Sequence, residues 1–442
     1  MYFTSSAEVF SWLSGFVNLE RGQNVKSFRL DRMEFLAQLA GNPERCVPSI
    51  HIAGSKGKGS VTGMLAAILT AAGFRVARYM SPHIIDIRER ICLGDSYFSE
   101  EVYCAAGNEL REVVDVRLSA AANPLFDNAA EDGSDPTFFE LLTLLFFLCA
   151  KHGSCDVMVV ETGMGGRLDS TNIVDPLVSV ITLIELEHTA FLGNTKAKIA
   201  GEKAGIIKQG KPVILAEQCE EALEVFKAKA AEKNSLLIYF PDVVELSDVK
   251  ITPQGTEWRQ TPFPASFSIP IPGRVQAENA ALSILAVKTA FPQIEEGRIE
   301  DAIRRGFLTL FIPGRFEKIS ESPPFVVDGA HTPESLALCV KTFCSLYGEG
   351  GILLFGCAAD KDAAAMARAA HSHFSKIIIT TPGTFKASNP ALVYKAFEEL
   401  APEKTVLEKN TQEAIKLAGK FGLPVLGTGS FYLISEIRKF VI

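Results

Sequence analysis

The stretch His51-Ile-Ala-Gly-Ser-Lys-Gly-Lys-Gly-Ser60 decides how the chain is read. Upstream, Val47-Pro-Ser-Ile-His-Ile-Ala53 has the make-up of a short buried strand. Downstream, Val61 to Ala72 is apolar, free of proline and built from good helix formers. A strand, a glycine-rich turn and a helix N-terminus make an anion site, because backbone N–H groups and the helix dipole both face the turn. Lys58 is placed to reach the terminal phosphates of a nucleotide, and the Ser60 hydroxyl to meet Mg2+. The spelling departs from the general phosphate-loop pattern. Ile52 stands where that pattern has its first glycine, and Gly59 separates the lysine from the serine.

The 442 residues suit two or three domains. Hydrophobic content of 47% and charged content of 22% describe a globular protein. The net charge of −8, without a basic block, excludes nucleic acid as the main partner, since phosphate neutralisation needs clustered Lys and Arg. Nine scattered cysteines without a C-x-x-C pair suit a reducing cytoplasm better than a disulfide framework or a zinc site. The N-terminus lacks the basic-then-apolar order of a signal peptide. The longest apolar run, Leu141 to Ala150, is about half a membrane span and reads as a buried helix, so no membrane association is expected.

Along the chain, residues 5–40 read as helical, with Ser6 as a cap and a second helix from Arg29 to Leu39. Gly73 to Tyr79 reads as a second strand, and residues 123–136 as a loop. Thr137, with Glu140 three residues on, forms a capping box for a helix through Cys149. Asp156 to Val160 is a continuous apolar run, the mark of a central parallel strand. It ends in Glu161-Thr-Gly-Met-Gly-Gly-Arg-Leu-Asp-Ser-Thr-Asn172, at the strand edge where open parallel sheets bind ligands. The next strand, Leu177 to Leu183, leads to Glu185-Leu-Glu-His188.

Taken singly, Glu161 reads as readily as a solvated strand end, and His188 as a loop histidine. Together with Ser60 they offer a carboxylate, an imidazole and a hydroxyl from three strand ends, a set that suits Mg2+. A nitrogen ligand is unusual for so hard a cation. The lysines of the basic helix 195–208 read by default as a solvated face. Residues 236–272 read as a small β-meander, and Gln276 to Ala290 as a helix with Asn279 near its start. Phe311-Ile-Pro-Gly-Arg-Phe316 reads as a domain junction, dividing residues 1–310 from a smaller α/β unit of residues 311–442. His371 and His373 read as surface residues, because no third metal ligand stands near them in sequence.

These motifs resemble, over nearly the whole chain, the folylpolyglutamate synthase/dihydrofolate synthase branch of the Mur ligases. The family's H-V-A-G-T-N-G-K-G-S matches residues 51–60, including the extra glycine. Its S-P-H and E-R-I match Ser81-Pro-His83 and Glu89-Arg-Ile91, and its E-T-G-x-G-G-R-L-D-A-T-N matches residues 161–172. Its I-A-x-E-K-A-G-I-I-K ends at Lys208, its P-G-R-F-E and D-G-A-H fall at 313–317 and 328–331, and its T-G-S-x-Y-L falls at 428–433.

The resemblance implies a phosphate-loop, mostly parallel sheet domain like the Mur central domain, plus a smaller Rossmann-like C-terminal α/β domain. It implies an ATP-dependent ligase that joins L-glutamate to a pteroyl or folate acceptor through an acyl phosphate. Nucleotide binding would fall to Gly54, Ser55, Lys56, Gly57, Lys58, Gly59 and Ser60, with Asn279 near the adenine nucleotide. One or two Mg2+ ions would sit on Ser60, Glu161 and His188, with Lys203 carbamylated to support the second. Arg315, Asp328 and His331 would close over the phosphates, and Ser81, His83, Glu89 and Arg90 would lie on the pterin side. The chain is expected to act as a monomer. Departures from the family spelling are Ser55-Lys56 for Thr-Asn, Glu187 for Asp, Val275 for His and Thr332 for Asn. The rival readings are a cell-wall amino-acid ligase and a nucleotide-binding homologue without catalysis.

Overall fold

A computed structural model describes residues 2–18, 29–118, 136–383 and 386–441. Its first body is built on eight strands: β1 (Ser49–Ala53), β2 (Val76–Tyr79), β3 (Ile91–Leu93), β4 (Ser96–Tyr97), β5 (Val157–Glu161), β6 (Val178–Ile181), β7 (Val213–Leu215) and β8 (Leu237–Tyr239). They run in the order β4-β3-β2-β5-β1-β6-β7-β8. All neighbours are parallel except the two pairs at the β3–β4 edge. The chain leaves β1 toward β2 on one side and later returns to β6 on the other. β1 is therefore the switch point, and its C-terminal end opens the crevice where such sheets bind ligands.

The apolar runs follow from burial on both faces. In β5, Val157 and Val159 pack into one core with Ile50, Ile52 and the helix Lys58–Ala71. Met158 and Val160 face the opposite core, filled by the helix Phe138–His152. Each fully buried Val, Leu or Phe contributes roughly 1.5–3 kcal/mol by leaving water. The capping box at Thr137 and Glu140 is present, with the Thr137 N–H donating to Glu140 at 2.7 Å.

Several boundaries differ from the sequence reading for local reasons. Ser5, not Ser6, caps the first helix, because the Ser6 hydroxyl is already bonded to Glu100 at 2.8 Å. The helix after the glycine turn begins at Lys58 rather than Val61. Leu237–Tyr239 joins the parallel sheet beside β7 instead of the meander. The meander itself is present as β9 (Leu246–Thr252), β10 (Gly255–Gln260) and β11 (Phe263–Ile269), closed over buried Trp258. Most of the loop read at 123–136 lies outside the described residues.

The second sheet comprises β12 (Glu317–Glu321), β13 (Pro324–Asp328), β14 (Gly351–Phe355), β15 (Phe374–Ile379), β16 (Thr405–Leu407) and β17 (Val425–Thr428). The order is β12-β13-β17-β14-β15-β16, parallel apart from β12. The last strand thus threads between β13 and β14. Alternating side chains again feed two cores, Val326, Leu353 and Ile377 on one face and Val327, Leu354 and Ile378 on the other. Among the described residues, no helix is long and apolar enough to cross a membrane.

Candidate active site

The turn after β1 is shaped by contacts only glycine allows. Gly54 has φ +146°, and a Cβ there would lie 1.8 Å from Thr182 Oγ1 at the end of β6. Gly57, at φ +93°, caps the helix Lys58–Ala71, and a Cβ there would lie 2.6 Å from Asn279 Oδ1. Asn279 therefore braces the turn from the start of the helix Arg274–Ala290. The N–H groups of Ser55 and Lys56 are tied to Leu183 O at 2.9 and 3.2 Å. Lys58 curls back and donates to Gly54 O at 2.9 Å. Ser60 is buried in the first helical turn, whose N–H groups point into the loop.

Glu161 closes β5 beneath this turn and is 3% exposed. Burial pushes its pKa up to about 7, against the pull of Lys58, Arg315 and the Ser81 N–H. Its Oε2 has no hydrogen-bond partner among the described residues. A methyl group at Gly59 would stand 3.6 Å from that oxygen and 3.6 Å from Arg315 Nη2, so both face the glycine. An orphaned buried carboxylate oxygen is costly, and a hard cation is a fitting partner for it. Ser60 and His188 would add a hydroxyl and an imidazole to that carboxylate, donor types that Mg2+ accepts. His188 adopts a left-handed conformation at φ +47° and is exposed at the cleft rim. Partial desolvation and the nearby Lys58, Lys361 and Lys203 favour its neutral form, with Glu187 opposing.

Lys203 corrects the reading of a solvated lysine face. It is 1% exposed, because the glycine-rich loop after β5 lies against its helix. A Cβ on Gly166 would come within 3.0 Å of Lys203 Cα. Its Nζ donates to Gly54 O at 2.8 Å and to Glu187 Oε1 at 2.9 Å. Burial lowers the amine to about 8, with Glu187 resisting. Burial alone would raise Glu187, but Lys58, Lys203, His188 and Lys56 outweigh it and bring the carboxyl to about 2.

The second body supplies the facing wall. Asp328 accepts the N–H groups of Phe316 and Ala330, each at 2.8 Å, and so sets the two loops that present Arg315 and His331. The Arg315 guanidinium lies 4.5 Å over the Phe431 ring. His331 Nδ1 donates to Gly329 O at 2.7 Å, which leaves the Nε2 lone pair facing Lys56 Nζ at 3.0 Å. Thr332 donates to Glu185 Oε2 at 3.2 Å, a second polar contact across the cleft. Desolvation lowers Lys56 to about 8 and holds His331 well below the usual imidazole range.

Ser81 and Glu89 line a cleft beside Gly59, Arg315 and Phe431. Both Glu89 oxygens are already engaged, by the N–H groups of Ile84, Ile85 and Asp86 at 2.7–2.9 Å. Arg90 is buried and donates to His83 Nδ1 at 2.8 Å. His83 and Arg90 thus brace the cleft wall and are not among its lining residues. Sequence reasoning missed Lys361, whose charge acts on Lys56, His188 and His331, and Phe431 under Arg315. Both follow the C-terminal ends of parallel strands, the edge already favoured for ligands, so position alone pointed to them.

Two α/β bodies meeting over a glycine-rich anion loop define a Mur-type ligase. The family model described as the Mur ligase middle domain matches residues 117–287, and that of the Mur ligase, glutamate ligase domain matches residues 314–424. The chain is 32% identical over 450 residues to a dihydrofolate synthase/folylpolyglutamate synthase of Bacillus subtilis, covering 99% of both chains. It is 33% identical over 414 residues to a folylpolyglutamate synthase of Lacticaseibacillus casei, covering 92% of this chain and 93% of that one. The solved Mycobacterium tuberculosis folylpolyglutamate synthase complexed with ADP and AMPPCP superposes with a TM-score of 0.87 at 27% identity, over 98% of each chain. The chain belongs to the folylpolyglutamate synthase/dihydrofolate synthase family of Mur ligases.

Proposed function

We propose that this chain is an ATP-dependent ligase that adds L-glutamate to dihydropteroate, to reduced folates, or to both. The observation behind this reading is the orphaned Glu161 oxygen, set among Lys58 and the Ser60 turn and faced across the cleft by Arg315. In this reading the loop N–H groups and Lys58 hold the triphosphate, and Asn279 fixes the loop near the adenine side. The acceptor carboxylate oxygen attacks the γ-phosphorus and the bond to ADP breaks. The glutamate amine then attacks the acyl carbon, loses a proton, and phosphate leaves. Phosphoryl transfer of this kind is mostly positioning and charge neutralisation. When bound by Ser60, Glu161 and His188, Mg2+ would supply neutralising charge to the phosphate oxygens.

Arg315, Asp328 and His331 shape the glutamate side and exclude water from the acyl phosphate. Ser81 lies where a pteroyl acceptor would enter, with Glu89, His83 and Arg90 holding that wall in place. A carbamate on Lys203 requires the neutral amine, which a pKa of about 8 brings within reach. Forming it gives up the contacts to Gly54 O and Glu187. Intact mass after incubation in bicarbonate reads that modification directly. Nine free thiols support a reducing, cytoplasmic setting, and light scattering tests the monomer.

The deciding experiment measures glutamate-dependent ADP release with dihydropteroate, with tetrahydrofolate and with a UDP-muramyl acceptor. Turnover with either pteroyl compound, and none with the muramyl one, is expected. Turnover with the muramyl acceptor alone, or nucleotide binding without turnover, would overturn the reading.

A further inference from the structure

A second chemical cluster lies on the edge of the β12–β17 sheet away from the cleft. Cys344 sits in the last turn of the helix Pro333–Tyr347. Gly348 ends that helix at φ +84°, with its N–H on Cys344 O at 2.9 Å. Gly350, at φ +85°, donates its N–H to His373 O at 2.8 Å. The backbone of Glu349 is therefore clamped between two left-handed glycines, each tied to one of the neighbouring side chains' own residues. A Cβ at either glycine meets nothing within 4 Å, so conformation rather than space explains the glycines.

The clamp turns the Glu349 carboxylate onto His373, whose Nδ1 lies 3.1 and 3.2 Å from its two oxygens. Cys344 Sγ, a Glu349 oxygen and a His373 ring nitrogen all lie within 4.8 Å of one another. A tetrahedral zinc centre has ligand–ligand edges of roughly 3.3–3.8 Å, so small side-chain rotations close the gap. Sequence reading dismissed His373 because no third ligand stood near it. Folding brings two.

We propose that Cys344, Glu349 and His373 form a surface site for a borderline divalent cation of the Zn2+ class, with solvent as the fourth ligand. A thiolate, an imidazole and a carboxylate select such an ion over Mg2+, which demands oxygen. Cys344 and His373 are partly buried and Glu349 is exposed, so an ion enters without unfolding. On binding, the Cys344 thiol gives its proton to solvent. The three residues stand where a helix ends and where β14 and β15 begin, while Asp328, His331 and Lys361 follow strand C-terminal ends. The ion therefore cross-links the outer edge of the lobe and takes no part in ligation.

The test titrates the full chain with Co2+ in excess Mg2+, followed by absorption. One equivalent should produce a thiolate-to-cobalt charge-transfer band and the strong visible bands of a four-coordinate ion, both displaced by Zn2+. The bands should vanish in C344S and in H373A and persist in H371A and in C46S/C219S. Zn2+ should raise Tm in the natural chain but not in H373A, and H373A should keep its ligase turnover. Absence of a thiolate band, or a band surviving both C344S and H373A, would overturn the site.

Discussion

Lys56 stands where the family spelling has asparagine, and its Nζ meets His331 Nε2 at 3.0 Å across the cleft. Its pKa, lowered by burial from an ordinary 10.5 to about 8, sets a testable pH limb. Phosphates favour the ammonium form. The share of nucleotide affinity that Lys56 supplies should therefore be constant well below pH 8 and be lost as pH rises through about 8, where the free protein loses that proton, superimposed on the titrations of Glu161 and Lys203. In Lys56→Asn the decline should be shallower by that share; a calorimetric series showing the same decline in both proteins would refute the assignment. Gly54 is the other decisive position. An alanine there meets Thr182 Oγ1 at 1.8 Å in a backbone conformation that side chains rarely adopt. Gly54→Ala should lower nucleotide affinity at least tenfold, read by the same titration.

The phosphate turn and Glu161 were readable from their own residue types and strand-end positions, whereas His331 and Lys203 were reached only through the family resemblance. Lys203's own surroundings in sequence pointed the other way. A lysine on a basic helix is solvated by default, and only the packing of residues 161–172 against it reverses that. Glu185 and Lys361 were unreadable for the same reason, since their partners come from the other lobe.

Among the elements, fully buried strands were easy to find because both faces are apolar. β12 and β16 were missed and β8 was read into the meander; each is a short edge strand with most of its residues only partly buried. The helix Glu296–Leu308 was also missed, although Ile299, Ala302, Ile303 and Phe307 share one buried face at helical spacing. The long helix Phe138–His152 offers a stability test. Its cap residue Glu140 also pairs with Arg32 at 3.2 Å, with side chains only 8% and 6% exposed. Arg32→Met should cost about 3 kcal/mol in urea unfolding, because it strands a buried carboxylate. Adding Glu140→Leu should recover part of that loss, leaving about 1 kcal/mol for the broken cap. Simple additivity of the two substitutions would contradict this account.

For the molecule as a whole, the two lobes act through a shared seam. Ile84 from the first body packs into the same core as Phe325, Leu433 and Ile434 of the second. Phe431 covers Gly329, where a Cβ would lie 2.2 Å from its ring, and stacks under Arg315. Removing that ring in Phe431→Ala should cost about 1–2 kcal/mol of cation–π support and lower kcat/KM about tenfold. Steady-state kinetics that leave kcat/KM unchanged would show that the ring does not hold Arg315.

The central claim is that a triphosphate is gripped at the end of β1 while the second lobe covers it. A crystal structure with a non-hydrolysable ATP analogue and Mg2+ tests it most directly. The account predicts phosphates along Gly54–Ser60, with the terminal one facing Lys58, Glu161 and Arg315. A nucleotide bound away from that loop, with no contact from the second lobe, would contradict it.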